Sequence, residues 1–188
     1  MTERAGRVLR RLGAADADAL LAILHAAYAA DLELGVRFGA SDATRDDVLA
    51  HLRGNLAHGL VDPAAPERIL ATISIRVPWG PNPGPLALPH LGWLAADPAC
   101  PERGLGSEVL ERIEDVLREQ LRAPAVTLGT AREHPWLGDY YVRRGYERIG
   151  SRDLGLGHLT DYHLKPLDPA AFETWRAAHV SYLEGIAR

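Results

Sequence analysis

The densest chemical signal in the chain is Leu94-Ala-Ala-Asp-Pro-Ala-Cys-Pro-Glu-Arg-Gly-Leu-Gly-Ser107. An apolar strand end passes through two glycines into a segment whose Val109, Leu110, Ile113, Val116, Leu117 and Leu121 keep helical register. The first turn of a helix leaves backbone N–H groups without partners, and the helix dipole adds partial positive charge there, so this turn could hold an anion. Glycine at 104 and 106 lets the backbone approach phosphate oxygens and adopt positive φ. A plain strand-to-helix turn has the same pattern. A lysine-containing P-loop is absent, and Val109 stands where a dinucleotide fingerprint needs its third glycine.

The second signal is Tyr140-Tyr141-Val-Arg-Arg-Gly-Tyr146, a short helix closed by glycine and followed by a strand. A phenol at the tip of such a helix can donate a proton to a leaving group. His25, His51, His58, His158, His163 and His179 pair with no acidic or cysteine ligand at a recognised spacing, so no metal is expected. Cys100 is the one thiol that could form an acyl-enzyme, but no histidine lies near it in sequence to activate it.

Several elements must position these groups. Val8 to Leu12 reads as a strand, and after Gly13 an Asp16 cap precedes Leu20, Leu21, Leu24 and Tyr28 at helical spacing. Thr44 and Asp47 form a capping pair before Val48, Leu52 and Leu56 on one helical face. Arg68 to Val77 is rich in β-branched residues, Pro78 to Pro85 is a Pro/Gly loop, and Leu86 to Ala96 is the next strand. The helix from Leu105 ends at Ala123-Pro124. Ala125 to Thr130, Tyr146 to Ser151 and Asp161 to Leu167 read as strands, with a short helix from Trp136 to Arg144. A last helix follows Pro169, with Phe172, Trp175, His179, Tyr182 and Ile186 along one side.

From about Val8 to Leu167, the two signals in this order and separation resemble the GCN5-related N-acetyltransferase (GNAT) family. Family members carry Arg/Gln-x-x-Gly-x-Gly/Ala after a Leu-Ala-Val-x-Pro strand end. Leu94 to Pro98 and Pro101 to Gly106 align with it without a gap, departing at Pro101. Proline offers no N–H, so the pyrophosphate donors implied are the amides of Arg103, Gly104, Leu105, Gly106 and Ser107. Tyr141, four residues before Gly145, matches the tyrosine of the family's Leu-Tyr-x-x-x-Gly-Phe signature and so is the implied general acid for the coenzyme A thiolate. His134 stands where an asparagine often touches the cofactor arm.

The resemblance implies an α/β fold with a central mixed, mostly antiparallel sheet flanked by helices and splayed at a bulge in strand four, with Leu94 and Ala96 beside the pantetheine arm. It implies acetyl-CoA as co-substrate, and transfer of the acetyl group directly to a primary amine of a small molecule or peptide in a ternary complex. His90, six residues before Ala96, is the first candidate for general base: arylalkylamine-type relatives carry a histidine there, and an ordinary imidazole titrates near neutrality. A hydrogen-bonded histidine near a hairpin end explains it equally. Asp31, Glu33, Asp42, Asp46 and Asp47 cluster where the family borders its acceptor pocket; most should be solvated caps, but one facing the cleft would favour a cationic amine. Val36, Phe38, Trp79 and Trp93 could supply apolar walls. A non-catalytic acyl-CoA-binding regulatory module of the same fold is the alternative, and a nucleotide-binding α/β protein is disfavoured by the incomplete glycine fingerprint.

The bulk properties agree. A chain of 188 residues suits one catalytic domain, here 1–167, with a C-terminal helical extension over 168–188 whose apolar stripe suits a homodimer contact or folding back on the sheet. A net charge of −4 offers little attraction to nucleic acid or anionic membrane. With one cysteine, a charged start and no apolar run of roughly 20 residues, a cytoplasmic location is expected.

Overall fold

The computed structural model describes residues 6–179. Among them, seven strands form one sheet in the order β1-β2-β3-β4-β5-β7-β6. The strands are β1 (Val8–Arg11), β2 (Leu56–Asp62), β3 (Ala65–Arg76), β4 (His90–Ala96), β5 (Ala125–Ala131), β6 (Glu147–Asp153) and β7 (Leu159–Pro166). The helices are α1 (Ala17–Glu33), α2 (Arg45–Gly54), α3 (Leu105–Glu119), α4 (Leu137–Val142) and α5 (Pro169–Ala178). Every neighbouring pair is antiparallel except β4 with β5.

The helices cover the sheet through their apolar stripes. Leu105, Val109, Leu110, Ile113 and Leu117 of α3 are buried in one cluster with Ile73 and Ile75 of β3 and Leu91 of β4. Each such side chain contributes about 1.5–3 kcal/mol by leaving water. A second cluster joins Leu20, Ile23 and Leu24 of α1 to Val48 and Leu52 of α2 and Ala95 of β4. The capping pair is present: Thr44 Oγ1 accepts from Asp47 N–H, and the Asp47 carboxylate accepts from Thr44 N–H at 2.9 Å. Asp16 does not cap α1 with its side chain; its carboxylate reaches back to Gly13 N–H at 2.8 Å and to Arg10.

Two boundaries differ from the expectation. Leu56 does not continue the second helix: α2 ends at Gly54, Asn55 is extended, and Leu56–Asp62 is a strand between β1 and β3. That segment has little β propensity of its own, and its state is set by pairing on both edges. The fourth strand begins at His90, not Leu86. Pro85 and Pro89 cannot donate to a ladder, and Leu86 and Leu88 are instead buried with Tyr162, Leu164 and Phe172.

The feature that makes room for a ligand is in β4. Ser74 pairs with Gly92 and Thr72 with Ala95, so Trp93 and Leu94 together oppose Ile73. Trp93 takes φ of +51°, rare for a bulky side chain, and produces the expected bulge. On the other edge, β4 pairs with β5 only at His90–Thr127 and Leu91–Leu128. Beyond those residues the two strands separate, and the sheet is splayed at strand four.

Phe172 of α5 packs into the cluster under the sheet, with Trp175 against it. Asp168 accepts from the amides of Ala170 and Ala171 at 3.0 Å and fixes the start of the helix, while Pro169 occupies its first turn. The first part of the terminal stripe is thus covered by the chain's own sheet; Tyr182 and Ile186 lie outside the described residues.

Candidate active site

A cavity of about 720 Å³ runs through the splay. Its floor is β4 from His90 to Ala96. The start of α3 closes the Ala96 end, His90 and Arg76 lie at the other, and α1, α2, the start of α4 and the β6–β7 loop also line it. Leu94 and Ala96 both line it; the Leu94 carbonyl accepts a 3.0 Å hydrogen bond from Tyr28, and Ala96 pairs with Ala71 across β3.

At the α3 end, Gly104 is the cap residue with φ of +82° and ψ of 7°, a left-handed conformation that only glycine adopts without strain. Asp97 steadies the preceding turn, accepting from Ala99 N–H at 2.9 Å and from Arg68 at 2.8 Å. Glu108 N–H is the first to close on Gly104 O, so the amides of Leu105, Gly106 and Ser107 precede the helical ladder, and the glycine cap has no side chain to fill them. A Cβ added at Gly106 would meet nothing within 4 Å, so open space lies before these donors. Arg103 is exposed and, together with Cys100, borders a smaller depression of about 210 Å³ that shares Ala96, Gly104 and Gly106 with the cavity. The donor set and the space fit a pyrophosphate.

The structure adds a cation to this end. Ser107 Oγ accepts from Arg144 Nη2 and lies 3.2 Å from Tyr140 Oη, and the Arg144 guanidinium sits over the Tyr140 ring. Among the described residues no carboxylate pairs with Arg144. It occupies a variable position of the Tyr-x-x-x-Gly signature, which is why motif matching passed over it.

Tyr141 lines the cavity, buried between Tyr140 and Tyr146. Its hydroxyl bonds to no described residue. Burial, reinforced by Tyr28 and Tyr140, pushes the phenol well above its ordinary value, so it holds its proton at any physiological pH.

His134 also lines the cavity, but both of its ring nitrogens are engaged by the protein. Nδ1 accepts from Leu137 N–H at 3.2 Å, so Nε2–H donates to Asp31 at 3.1 Å. The ring caps the first amide of α4 and ties the helix bearing Tyr140 and Tyr141 to the end of α1.

His90 is buried at the other end. Thr127 Oγ1 donates to Pro89 O at 3.2 Å and so receives the Nδ1–H of His90 at 2.9 Å, leaving Nε2 as the acceptor nitrogen. Burial, with the nearby Arg76 charge, pulls its pKa down to about 3. Gly84 makes this packing possible: a Cβ there would lie 2.4 Å from His90 Cβ, so the Pro/Gly loop rests directly on the histidine.

Of the acidic cluster, only Asp31 lines the cavity. Asp42 pairs with Arg37, Asp47 caps α2, and Glu33 and Asp46 are exposed. Phe38 and Trp93 do form walls; Val36 is buried elsewhere and Trp79 is 72% exposed. Three lining residues at this end, His51, Asn55 and Arg76, carry no local sequence signal and were missed. The His51 ring stacks on Trp93 with centroids 3.5 Å apart and planes within 6°.

Comparison with known proteins agrees with this geometry. Residues 24–146 match the model of the acetyltransferase (GNAT) family. S-(2-succino)cysteine N-acetyltransferase of Bacillus subtilis is 44% identical over 153 residues, which cover 81% of this chain and 91% of that protein. S-alkylcysteine N-acetyltransferase of the same organism is 37% identical over 134 residues, covering 70% and 74%. The structure of PaiA N-acetyltransferase from Thermoplasma acidophilum in complex with coenzyme A has a TM-score of 0.65 at 12% identity, covering 86% of this chain and 99% of that one. The ribosomal-protein-S18-alanine N-acetyltransferase of Escherichia coli gives 0.65 at 17%, covering 86% and 94%. The chain belongs to the GNAT family and is an acetyl-CoA-dependent N-acetyltransferase.

Proposed function

We propose that the enzyme acetylates the α-amine of an S-substituted cysteine. The observation that carries this reading is one continuous cavity, reaching from the free amides of α3 past Tyr141 to His90 and Arg76, in a chain whose relatives by sequence act on cysteine thioethers. Acetyl-CoA supplies the activated acyl group as a thioester. The amides of Leu105, Gly106 and Ser107, with Arg144, hold its pyrophosphate, and the bulged backbone from Leu94 to Ala96 pairs with the pantetheine arm.

Tyr141 gives its proton to the departing thiolate, and the proton that the amine nitrogen loses on becoming an amide restores the phenol. His90, neutral through Nδ1–H bonding to Thr127, presents Nε2 to an N–H of the acceptor amine and orients its attack; its depressed basicity makes it a weak proton store. One cavity for both substrates favours direct transfer in a ternary complex. Cys100 borders the smaller depression at the glycine turn and does not line the cavity itself.

The test is thiol release from acetyl-CoA with S-methyl-, S-butyl- and S-(2-succino)cysteine, with product mass measured. The expected product is the N-acetyl derivative. Acetyl-CoA binding without turnover on any cysteine thioether would refute the cysteine assignment, and silence on a broad amine panel would favour the regulatory module.

A further inference from the structure

The acceptor end of the cavity holds one permanent cation, and the described residues do not neutralise it. Arg76 closes β3 as the register partner of His90 and lines the cavity, half-buried. Its Nε donates to Asn82 O at 2.9 Å, and Nη2 donates to Asn82 Oδ1 at 3.0 Å and Pro83 O at 2.7 Å. All three acceptors are neutral and belong to the Pro/Gly loop. No described carboxylate pairs with Arg76, and Nη1 makes no hydrogen bond to a described residue. Of five guanidinium donors, three clamp the loop and the Nη1 pair is left over.

A loop clamp alone does not require a charge, and an unpaired charge removed from water is costly. Among the described residues the one carboxylate lining the cavity is Asp31, which is bound to His134. Close to Arg76 lies a second donor without a partner. His51 Nδ1 faces the Asn55 amide Nδ2 at 3.3 Å and so accepts, which puts the proton on Nε2; that atom is buried and unbonded, as is Asn55 Oδ1. The Arg76 charge helps to lower the His51 pKa to about 4, behind burial as the larger cause, so the two groups are in electrostatic reach. A cationic N–H pair, an unbonded imidazole N–H and an unbonded amide oxygen thus belong to three residues that line the acceptor end.

We infer that Arg76, with His51 Nε2–H beside it, binds the carboxylate of the acceptor, so that the enzyme selects α-amino acids over simple amines. A planar guanidinium matches a carboxylate better than any other side chain does, and binding there would fix where the α-amine points. This rests on the reading of the cavity as an acceptor site, but not on the acceptor being a cysteine derivative.

The experiment uses matched acceptors that differ only in carboxylate against carboxamide: S-butylcysteine and its amide, and two unrelated amino acids with their amides. Each is assayed by thiol release with the wild-type enzyme, Arg76→Lys and Arg76→Gln, and each variant's fold is checked by its acetyl-CoA thermal shift. The wild type should prefer the acid roughly 10- to 100-fold in kcat/KM, through KM. Arg76→Gln should bring that ratio close to one, with Arg76→Lys between. A wild type indifferent to the carboxylate, or an Arg76→Gln enzyme that keeps the preference, overturns the inference. An inert S-butylcysteine pair beside another pair whose acid preference disappears in Arg76→Gln refutes the cysteine assignment and upholds the role of Arg76.

Discussion

The Arg144 guanidinium carbon lies 3.7 Å above the centroid of the Tyr140 ring. Stacking of this kind holds a flexible cation in place without neutralising it. Arg144 Nη1 also donates to Tyr140 O at 3.3 Å, and its other arm donates to the hydroxyl of Ser107, the third residue of α3. The turn that closes the short helix bearing Tyr141 therefore also delivers a positive charge to the phosphate turn.

Arg144→Gln should raise KM for acetyl-CoA about 10-fold with little change in kcat, because the charge acts on binding rather than on the reacting atoms. The check is steady-state kinetics with acetyl-CoA and with S-acetylpantetheine, which lacks the pyrophosphate. An equal defect on both substrates would remove Arg144 from the phosphate site.

Gly106→Val offers the cleanest test of that turn. A Cβ there meets nothing within 4 Å, so a branched side chain can be accommodated while taking space beside the free amides. The variant should keep its thermal midpoint without ligand, while acetyl-CoA affinity falls at least about 10-fold as amide donors to the phosphate are lost. Gly104 is less informative, since its φ of +82° strains any side chain and would mix folding with binding. Calorimetric titration of Gly106→Val with coenzyme A decides the matter, and wild-type affinity would make the turn purely structural.

What the sequence disclosed was what lies close together along the chain. The α3 stripe, the Thr44–Asp47 box, the glycine turn and the placing of Tyr141 on a short helix before Gly145 are all local patterns, and the structure contains each of them. β2 was hidden because its conformation is imposed by β1 and β3 rather than by its own residues. Arg76, His51 and Asn55 were hidden for a related reason. They come from the end of β3 and from α2 and its cap, and only the sheet register and the stacking of His51 on Trp93 bring them to His90. The carboxylates around α1 and α2 were expected to be mostly solvated caps, and Asp47 is one; which of them faces the cleft was not legible, because composition cannot separate a cap such as Asp47 from a wall residue such as Asp31.

Tyr141→Phe removes a hydroxyl that has no hydrogen bond among the described residues, so it should leave stability and acetyl-CoA binding essentially intact. If the phenol protonates the thiolate, kcat should fall about 10²- to 10⁴-fold. Rapid-mixing measurement of a single turnover separates this from slow product release. A full-rate phenylalanine enzyme would transfer the role to Tyr140 or to water.

Stability should decline with acidification well before the carboxylates titrate. His51 and His90 are held neutral in the fold, with pKa values lowered to about 4 and about 3 chiefly by burial, and His58 and His163 are lowered in the same direction. Their unfolded values lie near 6.5, so between pH 6.5 and 4 the unfolded chain binds more protons than the native one. Their contribution is complete above pH 6.5 and is lost as pH falls toward the folded values, each group adding a slope of up to about 1.4 kcal/mol per pH unit. The depressed carboxylates Asp16, Asp47, Asp97 and Asp161 add their own loss only at lower pH, since they start from 3.8. His90→Gln should therefore be less stable than the wild type at pH 7 but lose less on going to pH 5, because one of the titrating rings is gone. Urea unfolding at pH 7, 6 and 5 measures both slopes; parallel lines for the two proteins would mean that His90 does not take up a proton on unfolding, and that its neutrality in the fold has another origin.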